Sequence, residues 1–331
     1  MHDFTQIIGH EGIIKHLQVA ISADKISHAY IFHGEEGMGK KTLALTFAKT
    51  LQCIENSYYP CNVCKSCKQS DSNNHPDIVW ITHDKASIGV DDIRTQVNAD
   101  IQVMPYQSQY KIYIIDSADK MTENAQNALL KTIEEPPEYA IIILLACNTQ
   151  SLLPTIISRC VTLDLKPVDR QLIKEHLMEE LHIPDYVAGI AAGFSGGNVG
   201  KAIKYASSDD FESKKEDIFH ILRYIDDMEL HEIISGIKTI SENKASINDY
   251  IDLMMLWFRD VLMLKATNDP NLLLLKDEFQ IIKKQASIRS YEEIENVIKS
   301  MDEAKAKLKA NVNVDITIEL MLLSIKENYN G

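Results

Sequence analysis

A glycine- and lysine-rich segment near residue 40 has the residue types and spacing of a phosphate-binding loop. Four residues separate Gly34 from Gly39, Lys40 follows directly, and a further glycine lies at position 37. In such loops the glycines let backbone N–H groups turn toward phosphate oxygens, and the lysine reaches the outer phosphates. An apolar strand pattern precedes the segment and a helical pattern follows it. This context favours a phosphate cradle over a glycine turn without a ligand.

The position after Lys40 departs from the pattern. A Ser or Thr hydroxyl there would hold a magnesium ion, but this chain has Lys41. Thr42 is a poor substitute, because one step along a helix turns a side chain by about 100°. We therefore predict a degenerate nucleotide site, and these residues leave open whether the site still binds ATP or ADP.

A second candidate site residue, an aspartate, follows the apolar run Lys111–Ile115. Asp116, at the end of this predicted strand, can help to hold the metal of a phosphate-loop enzyme. Hydrolysing enzymes of this architecture carry next a glutamate that orients the attacking water, whereas this chain has Ser117. A serine hydroxyl is no base at neutral pH. Together with Lys41, this change predicts the loss of independent ATP hydrolysis.

Four cysteines form a candidate metal site. Three of them are spaced at two-residue intervals, and the predicted ligands are Cys53, Cys61, Cys64 and Cys67. Four thiolates make a closed tetrahedral zinc site, whose role is structural because no position is left for a substrate. A disulfide alternative would need an oxidising compartment, which nothing in the sequence indicates. Cys147 and Cys160 lie in apolar surroundings and are predicted to be core residues.

The first half of the chain alternates apolar strands with amphipathic helices. The predicted strands are His28–His33, Ile78–Ile81, Lys111–Ile115 and Ala140–Ala146. The predicted helices between and around them are Ile13–Ile21, a helix from Leu43, Val90–Val103 and Glu123–Glu135. This alternation predicts an α/β fold with a parallel, doubly wound sheet and the phosphate site at the carboxyl ends of its strands.

From Pro167 onward the pattern predicts helices only. A small module comprises Asp169–Leu181, Val187–Ala192 and Gly200–Ala206. Longer helices then follow at Lys214–Ile225, Glu229–Ser241, Ile247–Lys265, Leu272–Ser287, Tyr291–Lys309 and Val314–Glu327. The segment Leu253–Leu264 is apolar almost all round and is predicted to be the buried centre of the helical bundle.

Composition narrows the class of protein. The chain has 331 residues and a formal net charge of −14, which disfavours wrapping nucleic acid over a wide surface but allows a local basic patch. We find no secretion signal and no apolar stretch of membrane-spanning length, so we expect a cytoplasmic protein.

Several further motifs, in a fixed order, carry a family resemblance. They are Ile7–His10, the segment HAYIFHGEEGMGKKT at 28–42, the four-cysteine insert, NALLKTIEEPP at 127–137, PTIISRC at 154–160 and NVNVDITIELMLL at 311–323. With these motifs the chain resembles the AAA+ clamp-loader subunits of bacterial DNA polymerase III. The resemblance implies a RecA-like AAA+ P-loop domain at 1–166 with its zinc module at about 53–75. It also implies a three-helix lid at 167–208 and a helical collar at 209–331.

The resemblance also implies roles for individual residues. It assigns a degenerate nucleotide site to Gly34, Gly37, Gly39, Lys40, Lys41, Thr42, Asp116 and Asn148. Asn148 would be the polar sensor residue, and Arg159 would be an arginine finger that reaches the nucleotide of a neighbouring subunit. The lid arginine of active relatives is replaced by Gly200. The departures at Lys41, Ser117 and Gly200 each weaken the chain's own ATP chemistry, and none of them affects Arg159.

The resemblance therefore implies a non-hydrolysing subunit of a hetero-pentamer. Its partners would be gamma/tau motor subunits and a delta-type subunit, and the complex would load the sliding clamp on primer-template DNA. One alternative is a catalytically active motor subunit of the gamma/tau type. Another is a zinc-dependent nucleic-acid-binding module, although the cysteine segment offers only Lys65 and Lys68 as nearby cations.

Overall fold

Five parallel strands form one sheet, whose side chains supply apolar cores on both faces. The strands are β1 (Ala29–His33), β2 (Ile78–Ile81), β3 (Lys111–Ile115), β4 (Ala140–Ala146) and β5 (Val161–Asp164), in the spatial order β2-β3-β4-β1-β5. On β1, Ala29 and Ile31 pack on one face, and Tyr30 and Phe32 pack on the other. This alternation is the period of two that a strand imposes. The predicted parallel, doubly wound sheet is confirmed.

The structure is a computed structural model that describes residues 3–55, 58–82, 86–207, 209–229, 231–232, 236, 240, 247–310 and 312–327. It divides into two compact units, Met1–His176 with Gly197–Lys201, and Leu177–Gly196 with Ala202–Gly331. The predicted helix Glu229–Ser241 falls largely outside the described residues. None of the helices described has both the length and the apolar character needed to cross a membrane.

The helices of the described chain are numbered here in order. They are α1 (Glu11–Ser22), α2 (Lys40–Leu51), α3 (Lys65–Asp71), α4 (Val90–Ile93), α5 (Glu123–Glu134), α6 (Pro154–Ile157), α7 (Arg170–Glu179), α8 (Asp185–Phe194), α9 (Val199–Ala206), α10 (Asp209–Tyr224), α11 (Ile247–Thr267), α12 (Phe279–Ile288), α13 (Tyr291–Lys309) and α14 (Val314–Glu327). Leu17 of α1 and Phe47 of α2 cover one face of the sheet. Leu129 of α5 and Ile156 of α6 cover the other face.

The strand β5 has no counterpart among the predicted strands. It pairs with β1 at one edge of the sheet. Its central residues alternate between an exposed Thr162 and a buried Leu163, and the exposed Asp164 follows. An edge strand that is only half buried lacks the continuous apolar run by which the buried strands are recognised.

The predicted helix Val90–Val103 is shorter in the structure. After α4 a π-helical turn ends at Asn98, and the chain then forms a loop. The buried Asp77 carboxylate holds this loop by accepting three backbone N–H bonds of 2.5 to 3.1 Å, from Tyr106, Gln107 and Ser108. Within the predicted range, Nζ of Lys111 donates to the carbonyls of Asp100 at 3.0 Å and Val103 at 3.2 Å. Side chains outside the segment thus take up its backbone groups, and local periodicity does not reveal such contacts.

The helical unit has α11 at its centre. Trp257 and Phe258 are fully buried there, which confirms the prediction for Leu253–Leu264. The predicted helix Leu272–Ser287 begins later, at Phe279. The buried Asp260 carboxylate of α11 accepts the backbone N–H groups of the residues that precede it, Leu274 at 2.7 Å and Leu275 at 2.8 Å. These donors are therefore used across the bundle rather than within a helix.

Candidate functional site

The predicted phosphate loop lies between β1 and α2, as the strand–glycine–helix pattern requires. Gly37 and Gly39 have φ angles of 87° and 88°, in the left-handed region that favours glycine. Gly39 precedes the first turn of α2, which begins at Lys40. The loop thus has the backbone form of a phosphate cradle.

Lys40 is turned back onto its own loop. Its side chain is buried, and Nζ donates to the carbonyl oxygens of Gly34 at 2.5 Å and Glu35 at 2.8 Å. Nζ also lies 3.2 Å from Sγ of Cys147, which directly follows β4. Cys147 is exposed rather than buried, so its predicted place in the core is wrong. The ammonium that would bind phosphates is therefore engaged by groups of the protein.

Lys41 forms an ion pair with Asp116. Its Nζ lies 2.8 Å from Oδ2 of Asp116, which follows β3 and is one-third exposed. Because β3, β4 and β1 are adjacent, their carboxyl ends bring Asp116, Cys147 and the phosphate loop together. The Lys41 ammonium therefore lies beside the carboxylate that the sequence predicts to help hold a metal ion. Thr42, one residue further, is exposed.

The turn that precedes and opens α9 packs directly on the phosphate loop. The N–H of Gly200 donates to the carbonyl of Gly37 at 2.9 Å, and Nδ2 of Asn198 donates to the carbonyl of Glu36 at 2.7 Å. A Cβ on Gly200 would lie 2.8 Å from Cα of Gly37. Packing therefore requires glycine at position 200. The sequence pattern does not indicate this contact with the loop.

Asn148 and Arg159 have local partners. Oδ1 of Asn148 accepts the N–H of Gln150 at 2.9 Å and caps a short turn after β4. Arg159 follows α6, and its Nη2 lies 2.9 Å from Oε1 of Glu134 at the end of α5. Its Nη1 donates to the carbonyl of Thr155 at 3.0 Å. The Arg159 side chain is 40% exposed.

The four predicted cysteines come together. Their Sγ atoms all lie within 4.8 Å of one another, and those of Cys61 and Cys67 are 3.9 Å apart. Four sulfurs at about 2.3 Å from a tetrahedral ion would be separated by roughly 3.8 Å. Both the donor set and the spacing fit, so this cluster can hold a metal ion.

Backbone donors support charge on the sulfurs. The N–H of Cys61 donates to Cys53 at 3.3 Å, and the N–H groups of Cys64 and Cys67 donate to the preceding cysteine sulfur at 3.4 Å. Burial raises the pKa of the Cys64 thiol, but the N–H of Cys67 and neighbouring donors outweigh it and bring that pKa to about 7. Burial raises the pKa of the Cys53 and Cys67 thiols. A bound cation would favour thiolates at all four positions.

Residues of the four-cysteine segment, at about 53–75, bond to α2 and to the residue that follows it. Lys49 of α2 is fully buried, and its Nζ lies 2.8 Å from both carboxylate oxygens of Asp71 at the end of α3. Oγ of Ser66 donates to the carbonyl of Gln52 at 2.6 Å and also bonds to His75. These contacts connect the candidate metal centre to the helix that follows the phosphate loop.

Comparison with known proteins gives matches over both units. The family model described as "DNA polymerase III, delta subunit" matches residues 9–169, and "DNA polymerase III, delta subunit, C terminal" matches residues 218–327. The chain is 33% identical over 318 residues to DNA polymerase III subunit delta' of Bacillus subtilis, covering 95% of each chain. It is 38% identical over 176 residues to subunit tau/gamma of Haemophilus influenzae, covering 53% of this chain and 25% of that one.

Solved structures give more distant matches. A DNA polymerase III gamma subunit-related protein of Thermotoga maritima is 21% identical, with a TM-score of 0.44 and coverage of 96% of this chain and 99% of that one. The DNA clamp loader delta protein of Bacillus subtilis is 12% identical, with a TM-score of 0.37 and coverage of 95% and 99%. The assignment to a family therefore depends on the sequence matches.

Proposed function

Because this chain belongs to the family of the DNA polymerase III delta' subunit, we propose that it is a delta'-type subunit of a clamp loader. In this role it helps gamma/tau motor subunits and a delta-type subunit to load the sliding clamp on primer-template DNA. As part of the DNA polymerase III holoenzyme it contributes to DNA synthesis without catalysing a reaction of its own. The prediction of a cytoplasmic location stays a prediction.

The observation that carries the non-hydrolysing part of this proposal is the ion pair between Lys41 and Asp116. An ammonium 2.8 Å from the carboxylate competes with the magnesium ion that phosphoryl transfer needs. Ser117 supplies no carboxylate to orient water, and Gly200 supplies no cation to the nucleotide. The chain therefore lacks three groups of a hydrolytic site and does not split ATP by itself.

Arg159 is the group that the chain lends to a neighbour. We assign it as an arginine finger, a cation that stabilises the charge developing on a transferring phosphate in the adjoining subunit. The 40% exposure of its side chain, which follows α6, supports this role, because a finger that acts on a neighbouring subunit cannot be a buried side chain.

The proposed assembly has three domains in this chain, at 1–166, 167–208 and 209–331. The helical collar is the part through which five subunits form an open ring. The four-cysteine module holds zinc, since four thiolates in a closed set suit this ion, and its role is structural. Cys53, Cys61, Cys64 and Cys67 are the ligands.

The second candidate is an active motor subunit, which the 38% identity to a tau/gamma subunit favours. Steady-state ATP hydrolysis by the isolated chain separates the two candidates. Turnover above background that is abolished by Lys40→Ala would favour the motor subunit. We expect no such turnover.

The proposal is tested by reconstitution. The purified chain is mixed with gamma/tau and delta-type subunits, and the mass of the complex and its ATP turnover are followed with and without primed DNA. We expect a complex of five subunits in which Arg159→Ala slows turnover without preventing assembly. An unchanged rate would remove the finger assignment, and failure to assemble would remove the clamp-loader assignment.

A further inference from the structure

Glu134 is the acidic residue that contacts Arg159. We propose that Glu134 is a positioning residue, which orients the Arg159 guanidinium before it meets the phosphate of a neighbouring subunit. The inference rests on the proposed finger role of Arg159 and adds a second residue to it. Its basis is the 2.9 Å contact between Oε1 of Glu134 and Nη2 of Arg159.

The backbone of Glu134 is held firmly by the rest of α5. Leu129 and Ile133 of this helix are buried in the core under the sheet. Asn98, which ends the π-helical turn after α4, also contacts α5. Its Nδ2 donates to the carbonyl of Ala128, and its Oδ1 accepts from Oγ1 of Thr132, both at 2.9 Å. The last turn of α5 therefore presents the carboxylate from a fixed position.

The segment that carries Arg159 is connected to the same helix. Gln126 of α5 accepts the N–H of Leu153 at 2.7 Å through Oε1 and donates to the carbonyl of Ser151 at 2.9 Å through Nε2. These bonds fix the start of α6 against α5, and Arg159 follows α6 by two residues. The distance between the backbones of Glu134 and Arg159 is thus set before any partner binds.

The electrostatics of α5 favour a cation beside Glu134. A helix C-terminus carries partial negative charge, so an acidic residue at the last position is unfavourable in isolation. Glu134 is the last residue of α5, and Glu135 follows it. The guanidinium offsets this repulsion, since its Nη2 lies 2.9 Å from Oε1 of Glu134.

The contact leaves the guanidinium able to act. Nη2 contacts Glu134, and Nη1 donates to the carbonyl of Thr155 and to Oγ of Ser158 at 3.3 Å, while 40% of the Arg159 side chain remains exposed. An arginine side chain has many rotamers, and restricting them in advance lowers the entropy cost of reaching the transition state. A pair this exposed makes a modest contribution, which corresponds to about a two- to fivefold change in rate.

The experiment uses a reconstituted loader with a single active site. Phosphate-loop lysines are replaced in all motor subunits except the one whose turnover depends on Arg159. In this complex, Arg159→Ala should lower kcat by about a hundredfold or more. Glu134→Gln should lower kcat by about two- to fivefold and leave KM unchanged, because the orientation matters in the transition state. Glu134→Asp should recover part of the loss.

Two comparisons isolate the contact. Glu135→Gln makes the same charge change one residue along and should leave kcat unchanged. Glu134→Gln in the Arg159→Ala background should have no further effect, because Glu134 acts only through Arg159. Thermal unfolding of each variant checks that the fold is retained.

The outcomes separate the finger role of Arg159 from the positioning role of Glu134. If Arg159→Ala leaves kcat unchanged, the proposed finger fails, and the role of Glu134 fails with it. If Arg159→Ala lowers kcat but Glu134→Gln matches the unmodified complex, only the positioning role is overturned. A rise in kcat with Glu134→Gln would also overturn it, because Glu134 would then restrain the finger.

Discussion

The ammonium of Lys41 lies 2.8 Å from the carboxylate of Asp116, and the two residues are far apart in the sequence. In a hydrolytic phosphate site the first position would supply a hydroxyl to magnesium and the second a carboxylate. Here the protein places its own cation beside the carboxylate. We therefore expect a phosphate loop that keeps its backbone form without a competent metal site.

Replacing Lys41 tests this account. Lys41→Thr removes the ammonium and adds a hydroxyl, so we expect binding of ADP that depends on magnesium. A hundredfold excess of nucleotide over its dissociation constant would stabilise the fold by about 2.7 kcal/mol, which is measurable by thermal unfolding with and without magnesium. Lys41→Met is the matched control, since it removes the charge without a metal ligand. Equal shifts for both variants would contradict the account.

Replacing Gly200 tests the contact between the turn that opens α9 and the phosphate loop. Gly200→Ala places a Cβ 2.8 Å from Cα and O of Gly37, so we expect a loss of about 1–3 kcal/mol in the free energy of unfolding. Gly12→Ala is the control, because no atom lies within 4 Å of its added Cβ and alanine favours the helix. Urea unfolding measures both variants, and similar stabilities for the two would refute the steric argument.

The metal centre predicts a defined zinc content. We expect one zinc ion per chain, released by a thiol-blocking reagent, and lost on Cys64→Ser. The unfolding temperature should fall in that variant, because metal binding contributes folding free energy at closed thiolate sites. Cys147→Ser is the control and should retain the metal, since Cys147 is not part of the cluster. Full zinc content in Cys64→Ser would exclude this residue as a ligand.

Breaking a buried ion pair tests how much that pair contributes to the stability of the helical unit. Arg289 is buried, its guanidinium pairs with Asp226, and its Nη1 donates to the carbonyl of Ile325 at 2.9 Å. Asp226→Ala should destabilise the unit by about 3–5 kcal/mol, because it leaves a buried cation without its carboxylate. Asp227→Ala is the control, since Asp227 is 70% exposed and its pair with Lys284 spans 3.6 Å. Denaturant unfolding should separate the two variants clearly. Equal losses of unfolding free energy would contradict the stabilising role of the pair between Asp226 and Arg289.

Local sequence patterns were sufficient for much of the fold. The alternation of side chains on β1 and the long apolar run of β4 identify buried strands, because a strand turns successive residues to opposite faces. Glycine spacing predicted the phosphate loop, and cysteine spacing predicted which four sulfurs meet. Boundaries were also predictable where the ends are local: α13 begins after Ser290, which caps it through its own side chain.

Elements that depend on distant partners were harder to predict. The edge strand β5 was missed because only half of its surface is covered. The start of α12 was placed too early because Asp260, in another helix, captures the N–H groups of Leu274 and Leu275. Cys147 looked like a core residue by its neighbours in sequence, yet it follows the end of β4 and faces Lys40.

By itself the sequence determined the class of fold, the family and the identity of the residues that could do chemistry. These properties depend on residue types and short spacings. Only the tertiary structure decided that Lys41 pairs with Asp116, that Gly200 packs on Gly37 and that Glu134 holds Arg159. Such pairs are set by the order of strands and the packing of helices, which bring together residues that no local pattern relates.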